Sequence, residues 1–175
     1  NIREIVNTTN NDTATWKSAA LILDDKISIK ASFIGEYKKD MYVQVTDVNG
    51  NVLQNIYYND FMQETLADDS TKMSIIFENF IPSEFDKAFY FTVFDGTGKA
   101  LSDRLVYSVE SYVASKISGT DKKLADLVRA LMNYGDSAKE YFDFLSKPKY
   151  KVEFYDYDGT LLKSENVPAG SPATP

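Results

Sequence analysis

The chain has 175 residues, a length suited to one domain with a small appendage, and 43% of it is hydrophobic, enough for a core. Its net charge of −7 argues against a phosphate-tracking nucleic-acid surface and against docking on anionic lipid. Cys and His are both absent, which removes disulfides, thiolate nucleophiles, zinc–sulfur sites, imidazole bases and Ser-His-Asp triads.

The first residue is Asn1, which suggests a processed or excised fragment. Residues 1–18 are rich in Asn and Thr without a sustained period, and are expected to form a lead-in with at most an edge strand. From Ala19 the pattern alternates. Leu21 and Leu23, then Ile27, Ile29, Ala31 and Phe33, predict two strands around an Asp24-Asp25-Lys26 turn. Met41, Val43 and Val45 predict a third, and Asn49-Gly50 predicts a tight hairpin with positive φ at both residues before the return through Val52 to Tyr58. Residues 59–71 are polar and expected to be a loop or a short helical turn. Met73, Ile75 and Phe77 alternate again, as do Phe89, Phe91 and Val93 ahead of a Gly-rich turn at 95–98 and a strand returning to Tyr107.

At Val109 the period becomes helical. Val109, Tyr112, Val113 and Ile117 predict a short helix with Ser108 as N-cap and Gly119 past its end. A second helix is expected from about Asp121 to Leu145, with Leu124, Leu127, Val128, Leu131, Ala138, Phe142 and Leu145 as its apolar stripe. Gly135 lies within that pattern and implies close approach to the sheet or the other helix. Tyr134 and Tyr141 are expected at the edge of the core. Lys147-Pro148-Lys149 ends the helix and links to an alternating segment, Tyr150 to Leu162. The expected class is α+β: an antiparallel β-sandwich of six to eight strands over residues 19–147, closed by two C-terminal helices, then a partial β-hairpin repeat over 148–175.

Several motifs suggest chemistry. Asp156-Tyr157-Asp158-Gly159-Thr160-Leu161-Leu162 resembles the nucleophile motif of haloacid dehalogenase phosphatases, in which the first Asp attacks phosphorus and the second acts as acid and base. That fold builds its domain after the motif, whereas 15 residues follow Thr160 here and four of those are Pro or Gly. A hairpin with Asp158-Gly159 as a type I′ turn is the reading adopted. Phosphatase or glycosidase activity is a distant alternative. The Asp-rich stretches at 47–51, 95–98 and 156–158 lack EF-hand spacing, so no metal is assigned. Asp95–Ala100 lacks the spacing of a phosphate-binding loop and precedes a strand. No cofactor and no catalytic residue are expected. Trp16, Tyr37, Tyr57 and Tyr58 are candidate platforms for pyranose rings, with Asn59 and Asp60 to hydrogen-bond hydroxyls; packing at the rim is the competing reading.

Tyr107–Phe144, with Tyr107-Ser108-Val109, Tyr112, Leu124, Leu127-Val128, Ala130-Leu131, Asn133-Tyr134-Gly135, Ala138 and Tyr141-Phe142, resembles a module of surface and secreted proteins in gut and rumen Gram-positive anaerobes. Tyr150–Pro175 resembles the first half of an internalin-type B repeat. Both resemblances imply a non-catalytic, extracellular module of a multi-domain bacterial protein. It would serve adhesion, polysaccharide attachment or protein assembly, and the alternative is a structural spacer. The implied partner is a polysaccharide or another surface protein, with no nucleic acid, no membrane insertion in this segment and a monomeric state.

Overall fold

The structure is a computed structural model that describes residues 13–36, 38–117 and 121–175. The fold is α+β with antiparallel sheets. Strands β1 (Ala14–Leu23), β2 (Ile27–Gly35), β3 (Tyr42–Thr46), β4 (Val52–Tyr57), β5 (Met62–Thr65), β6 (Thr71–Phe77), β7 (Phe89–Phe94) and β8 (Leu105–Tyr107) precede helices α1 (Val109–Ile117) and α2 (Lys122–Ser146). A hairpin of β9 (Lys149–Tyr155) and β10 (Leu161–Pro168) follows as its own two-stranded sheet. The eight earlier strands form two four-stranded sheets, ordered β1-β2-β6-β5 and β4-β3-β7-β8. Consecutive pairs are thus dealt alternately to the two sheets. The inner pairings, β2 with β6 and β3 with β7, join segments distant in sequence.

Alternation decides which residues enter the core. Ile29, Ala31 and Phe33 on β2, Met73, Ile75 and Phe77 on β6, Val43 and Val45 on β3, and Phe89, Phe91 and Val93 on β7 are all buried in one cluster. Rings join the two sheets edge-on: Phe77 lies 5.0 Å from Phe89 and 5.9 Å from Phe91, and Trp16 lies 6.5 Å from Phe91. The lead-in expectation is borne out in its edge strand, since β1 lies at the edge of its sheet, and corrected in its burial; residues 1–12 lie outside the described residues. Residues 14–18 begin β1, and Ala14 and Trp16 belong to the core. The 59–71 expectation holds in its short helical turn, a 3-10 turn at Tyr58–Asp60, and is corrected beyond it, where β5 forms and pairs with β6.

Four strand connections share one geometry. In loops 47–51, 66–70, 95–99 and 156–160, the first residue's N–H donates to the fifth residue's carbonyl and the fourth residue's N–H donates back to the first carbonyl. Gly50, Gly98 and Gly159 at the fourth position have φ of 83°, 83° and 84°, whereas Asn49 and Asp158 do not enter positive φ. These are type I turns closed by a bulge residue, not the type I′ turns expected at Asn49-Gly50 and Asp158-Gly159. Asp69 fills the fourth position of its loop with φ of 61°, the one non-glycine residue with positive φ among the described residues. Aspartate tolerates that region better than most side chains because its short carboxylate can bond locally.

Helix α1 opens as expected. The Ser108 Oγ accepts from the Ser111 N–H at 3.0 Å, and the Ser108 N–H donates to Ser111 Oγ at 3.2 Å, a reciprocal cap. Val109 and Val113 are buried beneath it; Gly119 lies outside the described residues. Asp121 caps α2 by accepting from the Leu124 N–H at 3.1 Å. Ala125, Val128 and Gly135 form the buried line of α2, so the expected stripe holds at Val128 and Gly135 and gains Ala125. Leu124 and Leu131 are half-buried, while Leu127, Phe142 and Leu145 are exposed. Tyr134 and Tyr141, expected at the core edge, are 58% and 59% exposed.

Gly135 sets how closely this line approaches the rest of the fold. A Cβ there would lie 2.9 Å from Phe85 Cδ2 and 3.0 Å from the Pro82 carbonyl oxygen. The close approach is therefore to the 3-10 turn Pro82–Glu84 and the residue after it, not to the sheet or α1. Phe85 is itself buried, and its carbonyl accepts the Glu110 N–H of α1 at 3.2 Å, so one segment seats both helices. Gly135→Ala is expected to destabilise the fold by about 1–3 kcal/mol, because the clash outweighs the roughly 1 kcal/mol gain in helix propensity. Urea melts of the two chains check this, and a more stable Gly135→Ala chain would contradict the packing.

Candidate functional site

The outward residues of the second sheet form ordered rows across the strands. Tyr57 of β4 is paired with Tyr42 of β3, and Tyr42 with Phe94 of β7. Their rings follow the register. Tyr42 and Phe94 are nearly parallel, 16° apart with centroids at 5.4 Å, and Tyr57 is tilted 39° from Tyr42 at 5.8 Å. The rings stand in file, each partly covering the next. β4 is the edge strand, so Tyr57, 57% exposed, ends the file with an open ring.

One register step along lies a polar row: Asn55, Gln44 and Thr92. The Gln44 Nε2 donates to Asn55 Oδ1 at 3.2 Å, which orients both amides and leaves further donors and acceptors at the surface. The next row carries Tyr90, with the Arg104 guanidinium 4.8 Å from its ring centroid. The outer face of the first sheet differs. It is built from Ser18, Ser32, Ser74, Ala20, Lys30 and Ile76, with Ser32 and Ser74 bonded to each other at 2.8 Å.

The sequence candidates scatter. Trp16 is not a surface platform. It is buried in the core, edge-on to Phe33 at 5.2 Å and to Phe91, and its indole N–H donates to the Asp103 carbonyl at 2.9 Å. Tyr37 lies outside the described residues. Tyr57 belongs to the aromatic file. Tyr58 is half-buried against Phe61, ring centroids 5.8 Å apart, and its hydroxyl accepts from Gln63 Nε2 at 2.6 Å. Asn59 is exposed on the following turn. Asp60 lines a shallow cleft of about 430 Å³ with Gln54, Ile56, Ile76, Glu78 and Asn79, between the edge of β4 and β6. Tyr42, Phe94, Gln44, Asn55 and Thr92 were missed by the sequence reading. Their signal was present: they are the out-of-phase residues of strands whose in-phase residues are Val43, Val45, Phe91 and Val93.

Two other features carry electrostatic interest. A second cleft of about 430 Å³ lies between β1 and α1 and includes Lys17, Tyr107, Tyr112 and Lys116. Burial pushes the Tyr107 phenol up to about 12, so its hydroxyl stays protonated at any physiological pH. The Asp-rich loops turn their carboxylates onto their own backbone. Asp47 Oδ1 accepts the N–H groups of Asn49 and Asn51, both at 2.8 Å, and its Oδ2 accepts from Asn51 Nδ2. Asp95 does the same with Thr97 and Lys99. Asp156 accepts the Tyr157 N–H at 2.7 Å and Asp158 the Thr160 N–H at 2.9 Å, in the loop joining β9 to β10. Among the described residues no group of three or more acidic side chains is placed to hold a metal ion. No family model, no curated protein and no solved structure matches the chain.

The placement of Trp16 predicts a cost of about 3–5 kcal/mol for Trp16→Ala, the range for truncating a buried aromatic. As the chain's one tryptophan, it should also give a blue-shifted emission in the native state that moves red only on unfolding. A native emission maximum typical of water-exposed indole would contradict its burial. The Asn51 side-chain amide, followed by the loop's N–H groups, holds the Asp47 carboxyl below its ordinary value of 3.8. Its stabilisation is full above 3.8 and lost as pH falls through the depressed folded value. Asp47→Asn should therefore weaken the fold at neutral pH, and urea melts should show the difference closing below pH 3.8.

Proposed function

We propose that the chain is a non-catalytic, extracellular binding module of a bacterial surface or secreted protein, and that it attaches to polysaccharide through the outer face of the β4-β3-β7-β8 sheet. The observation that carries this reading is the file Tyr57–Tyr42–Phe94 set beside the amide and hydroxyl row Asn55–Gln44–Thr92. A sugar ring has the two matching characters. Its C–H face carries slight positive charge that suits the negative face of an aromatic ring, and its hydroxyls require donors and acceptors at the rim. The open ring of Tyr57 takes the C–H face, and the oriented amides of Asn55 and Gln44 take the hydroxyls. The negative net charge favours a neutral glycan over a polyanionic one.

The concentration of aromatics on one outer sheet face, against Ser, Lys and Ile on the other, supports a recognition role for that side. Rigid aromatics lose little conformational entropy on binding, which suits a shallow surface. Affinity electrophoresis and calorimetry against a panel of neutral soluble polysaccharides test the reading. At least one glycan is expected to bind, with Tyr57→Ala weakening it about tenfold or more at nearly unchanged thermal stability, since Tyr57 is exposed. Silence across the panel, or a Tyr57→Ala chain that binds as tightly as the parent, would reject it.

A further inference from the structure

The solvent face of α2 is not uniformly polar. Leu127, Ala130, Tyr134, Ser137, Tyr141 and Phe144 recur at alternating steps of three and four residues and are all exposed, Leu127, Tyr134, Tyr141 and Phe144 at 51%, 58%, 59% and 41%. That spacing is the seam of a coiled coil, and it lies away from the line Ala125, Val128 and Gly135 that faces the core. A helix already docked on one side has no structural need for a second apolar line.

We propose that this seam pairs with the same seam of a second copy of the chain, antiparallel about a two-fold axis near Gly135 and Asp136. The seam is self-complementary in that one direction. Antiparallel alignment sets Tyr141 of one copy against Ala130 of the other, Tyr134 against Ser137, and Leu127 against Phe144, so each tyrosine meets a small residue. In the same alignment the flanking apolar residues Leu124 and Leu145, and Leu131 and Ala138, fall about 3 Å from level, at 1.5 Å rise per residue. On the other flank Asp126, Asn133, Glu140 and Lys147, the last at the helix C-cap, recur every seven residues, and Asp126 falls about 3 Å along the axis from level with Lys147 of the second copy. Parallel alignment would instead stack tyrosine on tyrosine and Asp126 on Asp126.

From Leu127 to Phe144 the seam runs about 26 Å at 1.5 Å per residue. Two such faces bury on the order of 1,000 Å², the low end for a specific interface, so a dissociation constant in the micromolar range follows. The two-fold operator makes the contact closed, ending at a dimer rather than a fibre. A module that binds one glycan site weakly would then present two sites at once, raising avidity without a new contact. The pairing stands independently of the sugar-binding reading.

Sedimentation equilibrium of the full chain between about 1 and 500 μM tests the pairing. A monomer–dimer equilibrium is expected, with Tyr141→Glu weakening it at least tenfold without lowering the melting temperature. Asp126→Lys should weaken it by a few-fold, and adding Lys147→Asp should restore it. A chain that stays monomeric throughout that range overturns the proposal. So does a dimer indifferent to Tyr141→Glu, or a charge-swapped double variant as weak as the single one.

Discussion

The edge-on contact of Phe77 with Phe89 and Phe91 is the interaction on which the other features depend. It joins the second strand pair of one sheet to the second strand pair of the other. With Trp16 and Phe33 it forms a continuous aromatic layer through the core. Aromatic pairs in this geometry add to simple burial because each positive ring edge meets a negative ring face. Committing Phe89, Phe91 and Val93 inward forces Tyr90, Thr92 and Phe94 outward, since neighbouring side chains on a strand cannot share a face. The candidate site is in this sense a by-product of the core.

The loops support that arrangement with little apolar material. Connections 47–51, 95–99 and 156–160 place a glycine where the chain must turn left-handed, and aspartates bond the backbone that the turn leaves unpaired. The bulge residue adds local twist, which helps paired strands follow the curvature of a packed sheet. The negative charge of the chain is partly a consequence of this turn chemistry, as Asp47, Asp68, Asp95 and Asp158 all bond within their own loops. Motifs that resemble catalytic or metal-binding sequences are, in these loops, committed to backbone hydrogen bonds.

The helices are attached through a narrow foundation. Phe85 and the Pro82–Glu84 turn accept both, through the Glu110 N–H and the surface of Gly135, with a Lys139–Asp86 ion pair at 2.6 Å beside them. Beyond Lys139 every residue of α2 is exposed. The last turns therefore carry Tyr141, Phe142, Phe144 and Leu145 on a helix supported only at its middle and start, an arrangement consistent with a role between chains.

Apart from β5 and the first half of β1, strand positions were legible in the sequence, as were the helix start at Ser108 and the α+β class, because two-fold and 3.6-fold periods and capping residues act over a few residues. Turn type was legible only in part. Asn49-Gly50 and Asp158-Gly159 mark a turn, but whether one or both residues enter positive φ depends on the loop length that the strand register imposes. How much of the apolar stripe of α2 is covered could not be read locally: Val128 and Gly135 face inward as their spacing implies, while Leu127, Phe142 and Leu145 in the same stripe stay exposed. The same holds for the surface. The sequence by itself determined that Tyr42, Tyr57 and Phe94 leave the core. Only tertiary structure decided that they stand in one file beside Gln44 and Asn55, because strands fifty residues apart meet through pairing set by the whole core.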